Sequence, residues 1–266
     1  MPNAGTDREK RAIVVVSIGD RPWLDASLST IRPYAETCGA DLVVERELPS
    51  VGLGRIPTMP DKPGRRNKAA YACKTYFAWQ ALSEGYDRVL MLDDTCCVAA
   101  DAPSIFDATP KGHLGYTGTG VRHAEKSFAA IERLVRTGAM PAVPFDTRLY
   151  MNSAVLLYDK CHADALRPEL INASASLLYS LYPHQTLTYY LSRLGRFEAF
   201  RLPKSFNSMP ALHLRRWRRR YLWDVRPYLK DTEWIYHITG AYRFRERLIG
   251  QVADYMLHER SPRDTE

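Results

Sequence analysis

Between Arg88 and Asp94 the chain reads Arg-Val-Leu-Met-Leu-Asp-Asp, so four consecutive apolar residues run straight into two adjacent carboxylates. A short apolar run without polar alternation is the pattern of a strand buried on both faces, as inside a parallel sheet. Two acids at its end then sit at the carboxyl edge of the sheet, where open α/β sheets bind their ligands. Carboxylates in such a place must meet a cation, a proton or water, because an unpaired buried charge is too costly to keep. The pair therefore reads either as a divalent-metal site facing a phosphorylated ligand or as a solvated loop after a core strand.

The segments before this run set its context. Ala12 to Gly19 is a second buried-strand candidate rich in β-branched residues, and Gly19-Asp20-Arg21-Pro22 closes it as a turn. Leu24 to Cys38 has helical spacing, with Leu24, Leu28, Ile31 and Tyr34 on one side and Pro33 expected to kink or split it. Ala40 to Glu45 is a third strand. Strand, helix and strand in this order make a βαβ unit and a parallel sheet. Leu48 to Arg66 is loop-like, with four prolines and three glycines, and Asn67 to Glu84 is a helix leading into the acidic strand.

Later segments are less regular. His113 to Gly120 is a short strand and a Gly-rich loop without P-loop spacing. Phe128 to Arg136 reads as a helix, Tyr150 to Tyr158 as a strand, and Leu177 to Leu194 as a helical stretch interrupted by Pro183. Phe200 to Pro203 and Trp234 to Ile238 are short strands, and Arg243 to His258 is an amphipathic helix. The expected organisation is a disordered start over residues 1–10, one domain over 11–258, and a frayed tail over 259–266.

With 266 residues and 45% apolar composition, the chain can bury a sizeable single core. Lys and Arg outnumber Asp and Glu by 37 to 30, a formal charge of +7 that suits anionic partners. Five cysteines show no paired metal spacing and read as reduced thiols. Met1 to Arg11 has no apolar core of a secretory leader, and no run approaches the ~18 apolar residues of a membrane span. A cytoplasmic protein is expected.

Several motifs in order resemble a GT-A-fold glycosyltransferase, most closely glycosyltransferase family 8, which includes glycogenin-like and lipopolysaccharide glycosyltransferases. Val14-Val15-Val16-Ser17 resembles the first strand, lining the nucleotide pocket. Lys68 resembles a basic donor-binding position, and Leu92-Asp93-Asp94-Thr95 resembles the DxD motif. Tyr150-Met151-Asn152-Ser153-Ala154-Val155 resembles the strand whose Asn faces the donor sugar. His184-Gln185 stands where the family has Asp-Gln, Ser205-Phe206-Asn207 resembles a late W-N element, and His237-Ile238-Thr239-Gly240 with Arg243 resembles H-x-x-G-x-x-K.

The resemblance implies an α/β, GT-A-like fold with a mixed, mainly parallel central sheet flanked by helices. It also implies transfer of a hexose from a nucleotide-diphosphate sugar, a UDP-hexose, to a hydroxyl of a glycan or lipid-linked glycan with retention. Asp93, Asp94 and His237 would hold Mn²⁺ or Mg²⁺, and the metal would stabilise the leaving diphosphate. Ser17, Lys68, Gly240 and Arg243 would contact the donor, and Asn152 and Gln185 would serve the sugar. Thr95 in place of the second DxD acid and His184 in place of an Asp are departures. They leave room for a non-catalytic glycan- or nucleic-acid-binding protein, and a sugar nucleotidyltransferase is a further alternative.

One stretch stands apart. In 212–228, Arg215, Arg216, Arg218, Arg219 and Arg220 surround Trp217, with Tyr221, Trp223 and Tyr228 nearby. Interleaved cations and aromatics suit the headgroup layer of an anionic bilayer, so peripheral contact at the inner membrane face is expected there. Nucleic acid is the less favoured partner for the same composition.

Overall fold

The computed structural model describes residues 8–50, 53, 68–210, 224–239 and 244–260. Its centre is a six-stranded sheet in the order β2-β1-β3-β6-β5-β7, made of β1 (Arg11–Val16), β2 (Ala40–Glu45), β3 (Arg88–Asp93), β5 (His113–Gly118), β6 (Met151–Asp159) and β7 (Glu198–Arg201). β1 lies parallel to β2 and β3, and β5 parallel to β7. Only β6 runs against its neighbours β3 and β5. β4 (Cys96–Val98) and β8 (Ile235–His237) form a separate antiparallel pair.

Both faces of the sheet are covered, as continuous apolar strands require. Along β1, Ala12, Val14 and Val16 join one core, and Ile13 and Val15 join the other. The first core is closed by helices α2 (Lys68–Ser83), α4 (Val121–Arg136), α5 (Pro168–Ala173) and α6 (Pro183–Leu194). The second is closed by α1 (Leu24–Cys38), the four-residue α3 (Ile105–Ala108), the β4–β8 pair and α7 (Arg245–Asp254). Four of the five thiols are buried, with only Cys161 exposed, and none is in a disulfide.

Three expectations shift. α1 runs through Pro33 unbroken; Ile31 and Tyr34 are fully buried on either side, and their packing holds the helix across the one bond that proline cannot make. Pro183 opens α6 instead of interrupting a longer helix, since a first-turn residue has no intrahelical use for its N–H; Ala175–Tyr179 before it is a separate 3-10 turn. α4 starts at Val121, two turns before Phe128, because its first turns are mostly polar and carry little periodic signal. After β3, as expected, the chain leaves the strand at the acids: Asp94 and Thr95 turn, and Cys96–Val98 leaves the main sheet to pair with β8.

Residues at both ends of the domain are anchored. The Lys10 amide donates to Asp87 at 2.9 Å, and Glu9 pairs with Arg11 at 2.8 Å. Arg260 pairs with Asp101 at 3.0 Å. Residues 1–7 and 261–266 lie outside the described residues.

Candidate active site

The register of the sheet assembles the site. Val16, the last residue of β1, is paired with Asp93, the last residue of β3. Ser17 therefore emerges beside Asp94, and its hydroxyl donates to Asp94 Oδ2 at 3.1 Å. Gly19, at φ 84°, turns the chain back in a conformation that only glycine takes without strain. Arg21 follows, with Nε 3.4 Å from the same Oδ2. From the β4–β8 pair, where Cys96 faces His237, the His237 Nε2 comes to 3.6 Å from Asp93 Oδ2.

The group that sequence reasoning missed is Lys74. α2 packs on β1 and β3 through Ala69, Ala72, Cys73 and Phe77, and Lys74 is its only charged residue after Lys68. Its ammonium donates directly to Asp93 Oδ1. The one charge in α2 beyond its opening Lys68, one segment before two carboxylates, was the available signal. The cation required by the acids at the sheet edge is thus supplied by the chain itself, by Lys74 on Asp93 and Arg21 on Asp94.

The electrostatics follow from this pairing. Burial pushes the Asp93 carboxyl upward, but the Lys74 ammonium, with a further pull from His237, holds it below the usual carboxylate range. Asp94 lies above that range, because burial and the neighbouring Asp93 outweigh Lys74 and Arg21. Burial pulls the Lys74 ammonium down and Asp93 more than restores it, so it stays charged. Burial, with Lys74 adding to it, pushes His184 down to about 3. Burial also takes His237 to about 4 against the pull of Asp93. Both imidazoles are neutral at pH 7. Among the described residues, both ring nitrogens of His184 and Nδ1 of His237 lack a hydrogen-bond partner.

As folded, these donors do not fit the divalent ion that the resemblance implies. One oxygen of Asp93 faces an ammonium, one oxygen of Asp94 is shared by a hydroxyl and a guanidinium, and the third DxD position is Thr95, which is buried and neutral. Among the described residues no group of three or more His, Cys, Asp or Glu side chains has metal-holding geometry. Two like unit charges 4 Å apart repel by roughly 4 kcal/mol at an effective dielectric near 20, and a dication by roughly twice that, so the Lys74 ammonium offsets what one of the two carboxylates would contribute to holding the ion.

A polar floor lies next to the charges. Asn152 is 9% exposed; its Oδ1 accepts the Ala154 amide at 2.9 Å, and among the described residues its Nδ2 faces only the Met209 sulfur at 3.7 Å. Across the ladder from Asn152 is Thr117, whose hydroxyl accepts from Asn207 Nδ2 at 2.7 Å. The Asn207 Oδ1 is buried without a partner. Gln185, in the first turn of α6, donates to the Met151 carbonyl at 3.0 Å.

The structure therefore brings together Ser17, Asp93, Asp94 and His237 as one cluster. Asn152 sits on the adjoining end of β6 and Gln185 reaches that end from α6, with their amides partly committed to backbone. Lys68 opens α2, but its side chain lies outside the described residues, as do Gly240, Arg243 and residues 212–223. Of the basic aromatic stretch, Arg226 is described and is paired with Asp254 at 3.2 Å, and Tyr228 is 37% exposed. No helix among the described residues is long and apolar enough to cross a membrane.

Among solved structures, the fold is similar to that of a glycosyltransferase involved in the glycosylation of the major capsid of PBCV-1, at 13% identity and a TM-score of 0.50, covering 89% of this chain and 98% of that one. It is also similar to the WbbM bifunctional glycosyltransferase apo structure, at 14% identity and a TM-score of 0.50, covering 88% of this chain and 46% of that one. At these identities the likeness is one of fold, and the α/β GT-A-like architecture is the observed one. No family model and no curated protein matches the chain.

Proposed function

We propose that this chain is a glycosyltransferase that moves a hexose from a nucleotide-diphosphate sugar, a UDP-hexose, to a hydroxyl of a glycan or lipid-linked glycan. The observation that carries the reading is one cluster: Asp93 and Asp94 with Lys74 and Arg21 at the carboxyl edge of a GT-A-like sheet, bordered by the polar floor of Asn152, Thr117 and Asn207. That edge is where an α/β sheet receives a nucleotide. The N–H donors of two cations suit a diphosphate, and buried amides with unused polar atoms suit a sugar.

In the proposed reaction the bond between the sugar C1 and the β-phosphate oxygen breaks, and the acceptor hydroxyl oxygen bonds to C1. The hydroxyl proton goes to the departing diphosphate. Attack on the face the diphosphate leaves retains the anomeric configuration, the outcome suggested by the resemblance to family 8. Cations at the diphosphate lower the barrier by stabilising charge that develops on departure. The basic segment around Trp217 supports a lipid-linked acceptor at the inner membrane face.

The test is a thermal-shift screen against UDP, GDP, CMP and ADP, each with Mn²⁺, Mg²⁺ or EDTA, followed by product analysis with the sugar nucleotides of the base that binds. A ligand that binds only the folded state raises the melting temperature. One nucleotide class should shift it, and turnover should release the nucleoside diphosphate, not pyrophosphate. No shift with any nucleotide refutes the donor assignment and leaves a glycan-binding protein on the same fold.

A further inference from the structure

We infer that Lys74 stands in for the divalent cation at Asp93, so that the donor diphosphate is met by the Lys74 ammonium and the Arg21 guanidinium and its binding needs no metal. This rests on the nucleotide-sugar reading and specifies how that site balances charge.

Three observations point the same way. Lys74 comes from a different element than either acid, and it takes the Asp93 oxygen that His237 does not face. An ordinary surface lysine would turn toward water; this one has a side chain only 15% exposed, directed from an apolar helix onto a carboxylate that is itself 20% exposed. Partial desolvation costs both charges, so each is held there by the other. Each acid also has its own basic partner, Asp93 with Lys74 and Asp94 with Arg21, so the acid pair carries no uncompensated charge that would attract a dication. Finally, Thr95 at the third motif position removes the carboxylate with which a metal is ordinarily completed, and its backbone carbonyl is used by the Ile238 amide.

The geometry leaves donors for the ligand. An ammonium has three N–H groups, and Asp93 Oδ1 uses one. Arg21 directs Nε at Asp94 and Nη1 at the Asp20 carbonyl at 3.0 Å, which leaves Nη2 to a phosphate oxygen. The acids in this arrangement orient the two cations. A positively charged side chain fixed by a carboxylate is preorganised, so little is spent on ordering it when the diphosphate arrives.

The experiment has two arms on the full chain. In the first, the affinity of the wild type for the nucleoside diphosphate that shifts it is measured by calorimetry in EDTA and in Mn²⁺. The expected affinities agree within about twofold, whereas Lys74→Met weakens binding about ten- to a hundredfold in EDTA, the worth of a lost charge-assisted hydrogen bond. In the second, Mn²⁺ alone is titrated and followed by electron paramagnetic resonance. The wild type should leave Mn²⁺ free, and Lys74→Met, which vacates Asp93, should bind it. A wild-type affinity that collapses about tenfold or more in EDTA, or wild-type capture of Mn²⁺ without nucleotide, overturns the inference. If no nucleotide binds, the donor reading fails, and the Mn²⁺ arm still decides the role of Lys74. Should Lys74→Met not fold, the wild-type affinities in EDTA and Mn²⁺ and the wild-type Mn²⁺ titration still decide the inference.

Discussion

His162 provides a quantitative check on how the core treats a titratable group. It sits in the 3-10 turn Lys160–Leu166, 2% exposed, with its ring stacked on Phe197 at a centroid distance of 4.1 Å. The Asp159 amide donates to its Nδ1 at 3.0 Å, so that nitrogen must be an acceptor, and Nε2 is buried without a partner. Adding a proton to Nδ1 would oppose two donors. Burial is the main cause of a pKa pushed down from 6.5 to about 4, against the partial pull of Asp159. The unfolded chain therefore takes up this proton first as acid is added. Stability from His162 is complete above pH ~6.5 and is lost as the pH falls from there toward ~4. Between about pH 7.5 and about pH 5 the loss from this one group is about 2 kcal/mol. Urea unfolding of wild type and His162→Gln at both pH values measures it. The substitution keeps an acceptor for the Asp159 amide, and any fixed cost it brings cancels in the pH difference. Wild type should lose about 2 kcal/mol more than the variant. Parallel losses, within about 0.5 kcal/mol, refute the reasoning.

Other consequences can be checked with the same protein. Arg88 is 2% exposed and spans the far edge of the sheet, donating to the carbonyls of Phe106 and Thr109, the latter at 3.0 Å. Arg88→Met orphans those carbonyls and should cost about 3–5 kcal/mol in urea unfolding; a loss under about 1 kcal/mol would show that the guanidinium is dispensable. The double substitution Asp93→Asn and Asp94→Asn should abolish turnover while the far-UV circular dichroism stays native, and full turnover in it would remove the acid pair from the mechanism. Gly39, the left-handed cap of α1 at φ 59°, should lose about 1 kcal/mol on Gly39→Ala, read as a lower melting temperature; an unchanged value would contradict the cap assignment.

Much of the frame was legible because burial on both faces writes itself into sequence. Ala12 to Val16 and Val89 to Leu92 are unbroken apolar runs of strand length, the pattern of inner strands covered on both sides. Ser17 and Asp94 were each nameable, but their contact depends on the register of β1 against β3, which pairs residues far apart in the chain. Lys74 is not legible as a site residue because helical periodicity marks only the apolar face, and a single charge within the helix carries no periodic signal. His184 could be read only as a substitution; that it is buried with both ring nitrogens unpartnered is a product of how α6 packs on α2. Asn152 stands in the sequence at the position expected to serve the sugar, and only the structure shows its Oδ1 capping Ala154 while Nδ2 remains beside a sulfur.

The single reversed strand, β6, has a consequence for the order in which the sheet is built. β2, β1 and β3 come from one stretch of chain, and every pairing among them is parallel, joined through α1 and α2. β6 closes onto β3 with Arg88 opposite Asp159, and onto β5 with Gly118 opposite Met151, so its two partners come from either side of the acidic turn. Closing the longer of these loops costs more chain entropy, though only logarithmically. β1 and β3 pair residues 77 apart, Arg11 with Arg88, against 33 for Gly118 with Met151, so the kinetic expectation is early pairing of β6 with β5 and late closure of β3 onto β1. The carboxylates at the end of β3 would then acquire their final surroundings late, once β3 is seated beside β1 and Ser17 meets Asp94.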